Sequence, residues 1–81
     1  MKYSKQAFEK WLTSLDKKIV NRACHHLNAK LNCDVNDQLA IKVYEAQYNE
    51  CILILLEFNP FVDWDKLIKF VYDNGYAPLG E

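Results

Sequence analysis

Glycine is almost absent from this chain of 81 residues: Gly75 and Gly80 are the only two. A phosphate-cradling loop or a dinucleotide-binding turn needs several glycines at fixed offsets, so both are excluded. Serine is nearly as scarce, at Ser4 and Ser14, and neither stands in the glycine-flanked turn of a nucleophile elbow. Proline occurs only at Pro60 and Pro78, so nothing before Pro60 breaks a helix by removing a backbone N–H. The longest unbroken apolar run is the six residues 51–56. That is far short of the roughly 20 that cross a bilayer. The three cysteines, Cys24, Cys33 and Cys51, are an odd count at irregular spacing, with no basic-then-apolar leader ahead of them. A reducing, cytoplasmic setting is expected.

What is present is an ordinary globular mixture, 51% apolar and 26% charged, which argues against disorder. At this length residues 1–81 form a single compact domain. The net charge of −1 conceals a split. Residues 1–34 carry seven Lys/Arg against three Asp/Glu, and residues 35–81 carry three against eight. Much of that asymmetry is expected to cancel where the two halves pack together. What is left over is an acidic surface suited to a basic partner.

Hydrophobic periodicity predicts an all-α domain of four helices near residues 4–15, 16–32, 36–58 and 63–74. In the first, Ser4 is an N-cap and Phe8, Trp11, Leu12 and Leu15 form one stripe, read as core. Asp16 is read as the cap of the second, whose apolar side holds Ile19, Val20, Ala23, Cys24, Leu27 and Leu31. The stretch 32–37 is rich in turn formers. Either Asp34 or Asn36 caps the third helix, with Val35 as a hydrophobic staple if the cap is Asn36. In that third helix Gln38, Lys42, Glu45 and Asn49 line one side, and Ile41, Tyr44, Tyr48, Ile52 and Leu55 the other. Because residues 51–56 are apolar all round, this end should be covered on more than one side. Asn59-Pro60 stops it. Asp63 then caps the last helix with Asp65 in its first turn, and Trp64, Leu67, Ile68 and Val71 face inward. Gly75 is placed to end it in the left-handed conformation, with Tyr76 returning onto Val71, and the tail 79–81 is expected to be loose.

The alternative is an α+β domain in which 39–45 and 50–58 form a β-hairpin, since Leu39, Ile41 and Val43 also alternate. Against it, the connecting AQYNE holds no glycine and its neighbours tolerate helix well.

One constellation invites a metal: Cys24, His25, His26 and Cys33. Zinc needs four such ligands converging at about 2.0–2.3 Å. On a helix Cys24 points with Leu27 into the apolar stripe while His25 is turned about 100° away, so the set does not converge. Neither a metal nor another cofactor is expected, and Cys24 reads as a small buried apolar residue. Asp63 and Asp65 are explained by capping, not by acid–base catalysis. A helix-turn-helix fits badly, because the helix after the turn offers Asp37, Gln38 and Glu45 with Lys42 as its one cation.

The functional expectation is a small non-enzymatic protein-interaction module. One lysine-rich, arginine-poor, asparagine-rich composition is that of an A+T-rich genome and suggests a bacterial or phage accessory inhibitor or antitoxin-type protein that binds a host protein. A nucleic-acid-binding regulator is the alternative. The partner face is assigned to Glu50, Leu53, Leu56, Glu57, Asp63 and Asp65, where the polar stripe of the third helix runs into leucine beside acids. Two outcomes are distinguished there. Either residues 61–64 and the last helix cover Leu53 and Leu56, or the patch is open to another protein or to a second copy of the chain.

Overall fold

The structure, a computed structural model, describes residues 5–79. The cap assigned to Ser4 lies outside the described residues, as do Gly80 and Glu81. Four α-helices follow in order: α1 (Lys5–Trp11), α2 (Ser14–Leu31), α3 (Gln38–Phe58) and α4 (Trp64–Asp73). There is no strand among the described residues, and the hairpin alternative is not supported.

α1 stops four residues short of the expected 15. Thr13 takes an extended conformation with ψ 166°, so the helix ends at Trp11 and Leu15 belongs to the next element. Thr13, not Asp16, is the cap of α2. Its hydroxyl accepts from the Asp16 N–H at 3.1 Å, and the Asp16 carboxylate accepts from the Thr13 N–H at 3.2 Å. This reciprocal pair satisfies two N–H groups that would otherwise be orphaned.

The turn between α2 and α3 also differs in detail. Asp37 caps α3, accepting from the Ala40 N–H at 3.1 Å, whereas the Asp34 carboxylate accepts from the Asn36 N–H at 2.9 Å and shapes the turn. Val35 is exposed and is no staple. At the other end the expectation for α4 holds. Asp63 caps it, Gly75 has φ 66°, the Tyr76 N–H donates to the Val71 carbonyl at 3.0 Å and the Gly75 N–H to that of Tyr72 at 3.1 Å. This is the paired Schellman arrangement.

Packing follows from these ends. The short turn at 32–37 lays α3 against α2, and α4 packs against both. The core is Val20, Ala23, Cys24 and Leu27 of α2, Tyr48, Cys51 and Leu55 of α3, and Trp64, Ile68 and Val71 of α4. Phe8 and Leu12 close one side, where the Phe8 ring lies 5.9 Å from Phe70 and 5.8 Å from Tyr76. Trp11, Leu15 and Leu31, all read as apolar-face residues, are instead more than about half exposed or close to it. The tail is not loose at Leu79. That side chain is buried, and the Asn21 amide both donates to its carbonyl at 3.0 Å and accepts from its N–H at 2.7 Å.

Candidate functional site

The inner side of α3 is fixed by what it touches. Tyr48, Cys51 and Leu55 are buried at steps of three and four. At about 100° per residue, the opposite side of the same helix carries Leu39, Val43, Ala46, Glu50, Leu53 and Glu57. Every one of them is exposed. Leu39 is 76% and Leu53 is 64% accessible, so the expected cover over residues 51–56 is missing on this side. Ile54 and Phe58 widen the strip, and Phe61 beyond it is 95% exposed.

Residues 61–64 therefore do not fold over Leu53. Val62 packs against the core and Trp64 enters it, its indole N–H donating to the Asn59 carbonyl at 2.9 Å. Between Trp11, Leu15, Phe58 and Trp64 lies a shallow groove of about 340 Å³, continuous with the Phe58 end of the strip.

Of the six residues assigned to a partner face, the structure brings three together. Glu50, Leu53 and Glu57 share the outer face of α3. Leu56 is turned towards the core and packs against it. Asp63 is engaged as a cap. Asp65 accepts from the Tyr48 hydroxyl at 2.8 Å and pairs with Lys69 at 3.2 Å, so it serves the join between α3 and α4. Missed from sequence were Leu39 and Val43, whose spacing of four and continuation to Ala46 and Glu50 was the available signal.

Burial raises the Tyr48 hydroxyl, and the bond to Asp65 raises it further; that same bond, aided by Lys69, holds the Asp65 carboxyl below its ordinary value against opposing desolvation. A carboxyl depressed in the folded state gives stability that is present above its unfolded value and lost as pH falls through the folded one. Tyr48→Phe is accordingly expected to lower stability by about 1 kcal/mol at neutral pH. The difference from wild type in urea midpoint should shrink as the pH is taken down to about 2. A difference independent of pH would remove the Tyr48–Asp65 bond from this account.

No protein family, curated protein or solved structure matches this chain.

A second, larger groove of about 650 Å³ lies between α2 and the tail, lined by Arg22, His25, His26, Tyr72 and Pro78 among others. The Tyr72 hydroxyl is spent on Asn28 at 2.9 Å and the Asn21 amide on Leu79. Burial, then Arg22 and His25, lower His26, which keeps it neutral over more of the pH range. Cys24 faces the core from this wall with its thiol pushed up to about 11 by burial, and Cys51 is raised for the same first reason. Thiols held protonated are poor nucleophiles and poor ligands. Among the described residues no three His, Cys, Asp or Glu side chains gather as a metal site, and no helix is long and apolar enough to cross a membrane.

Proposed function

We propose that this chain is a non-enzymatic protein-interaction module that makes its contact through the outer face of α3. The observation that carries the reading is the apolar strip Leu39, Val43, Leu53 and Ile54, left open on a helix whose other side enters the core through Tyr48, Cys51 and Leu55. Single exposed hydrophobes are ordinary, but an aligned set along a 21-residue helix is the form an interface takes before its partner arrives. Acids at Glu50 and Glu57 keep that strip soluble and oppose a phosphate backbone, which disfavours the nucleic-acid alternative for this face. An accessory inhibitor acting by occupying a host protein fits such a module, since it needs a surface and no catalytic group.

Site-specific photo-crosslinking in the source cell tests the reading. A benzophenone side chain at position 53 is expected to yield discrete protein adducts, and one at exposed Lys18 on α2 none. Equal labelling from both positions would overturn it.

A further inference from the structure

We infer that the occupant of this face is a basic amphipathic helix of a partner protein, an inference that rests on the reading of the α3 face as a protein contact. The spacing of Leu39, Val43, Ala46, Glu50, Leu53 and Glu57 is four, three, four, three, four. That is the seam spacing with which one helix receives the side chains of another, and it is presented here on the side of α3 that nothing in the fold covers. At 1.5 Å per residue the seam is about 27 Å long, enough for five turns of a second helix. Ala46 at its middle lets a partner backbone come close, while Leu39 and Val43 on one side and Leu53 and Ile54 on the other supply apolar contact.

The two glutamates decide the partner's charge. Glu50 and Glu57 stand in the seam itself, seven residues and about 10.5 Å apart. A helix lying on them removes water from both carboxylates, and an unpaired buried carboxylate costs several kcal/mol. The occupant must therefore bring two cations at the same seven-residue spacing, with apolar residues on the positions between them. Arginine suits the place well, because its guanidinium can meet a carboxylate with two hydrogen bonds.

A second copy fits less well. Two-fold pairing of the α3 faces would enclose four seam carboxylates, two from each copy, and Lys42 is the one cation that α3 itself carries. An anionic membrane surface is opposed by the same two charges.

The test uses two synthetic peptides as long as α3, both apolar along the seam and identical except at two seam positions seven residues apart, lysine in one and glutamate in the other. The lysine peptide is expected to bind the intact protein, to weaken with salt, and to bind at least about ten-fold better than the glutamate peptide. Glu50→Lys with Glu57→Lys should reverse the preference. Failure of the lysine peptide to bind, or binding unchanged by the charge reversal, overturns the proposal. So does a reversible dimer of the protein alone, seen in sedimentation and lost on Leu53→Glu, which would make a second copy the occupant and leave the protein-contact reading standing. Loss of the discrete adducts at position 53 would instead remove that underlying reading.

Discussion

Leu55→Glu is expected to unfold the protein, and Leu53→Glu, two residues away on the same helix, to leave it folded. Leu55 has no accessible surface and packs among the core side chains of α2 and α4, so its replacement buries a carboxylate with no cation to meet it. That costs several kcal/mol on top of the roughly 2–5 kcal/mol lost with the leucine side chain itself. A domain of this size has a total stability of only about 4–12 kcal/mol. At Leu53 the new carboxylate stays in water. It adds like-charge repulsion with Glu50 and Glu57 at three and four residues, about 0.2–0.5 kcal/mol for each pair. Far-UV circular dichroism with thermal melts separates the two variants at once. If both unfold, Leu53 is covered and the open face described above does not exist.

Trp64→Ala is expected to be the most damaging single truncation, at about 3–5 kcal/mol. The ring is 2% exposed, stands 6.0 Å from that of Trp11, and is oriented by its bond to the Asn59 carbonyl. It is the first residue of α4 and fastens that helix to the end of α3 just where proline prevents α3 from continuing. Trp64→Phe keeps part of the packing and loses the hydrogen bond, so a smaller cost is expected. Urea denaturation of the three proteins gives the comparison. A loss below about 1 kcal/mol for Trp64→Ala would mean the site collapses around the missing ring, contrary to the close packing seen.

These contrasts show what periodicity can and cannot carry. The existence of four helices was legible because apolar spacing, Asn59-Pro60, Asp63 and Gly75 all gave the same boundaries. Exact starts were less so. Thr13 and Asp16 are both competent caps three residues apart, and the box they form uses both side chains, so residue type alone does not say which of them is the N-cap. Around α3 the candidates were Asp34 and Asn36, and the cap is neither but Asp37, because the path of the turn decides which side chain reaches the first free N–H groups.

Exposure was the harder matter. A stripe such as Phe8, Trp11, Leu12 and Leu15 says which side chains share a face but not whether another element reaches it. Phe8 and Leu12 are buried; Trp11 closes α1 more than half exposed, and Leu15 lies past the point where the chain turns at Thr13. In α3 the apolar residues surround the C-terminal half, and which side faced the core could be told from Tyr48 and Leu55. That Leu53 and Ile54 were left over could not, since the bulk available to cover them depends on the angle at which residues 59–63 leave the helix. Leu79 was illegible for a related reason: its backbone is held by Asn21, 58 residues earlier, and its side chain joins a core built from the helices.

The clasp between Asn21 and Leu79 has a dynamic consequence. One side-chain amide holds both backbone groups of a residue outside any helix, as a neighbouring strand would, and Leu79 is seated in apolar surroundings at the same point. The two bonds must open together, and opening withdraws a leucine from the core. Amide hydrogen exchange at Leu79 should therefore be slow, set by the separation of the tail from α2 and not by the rapid fraying usual near a chain end. An irregular segment thus becomes part of the cooperative unit and reports on the integrity of α2.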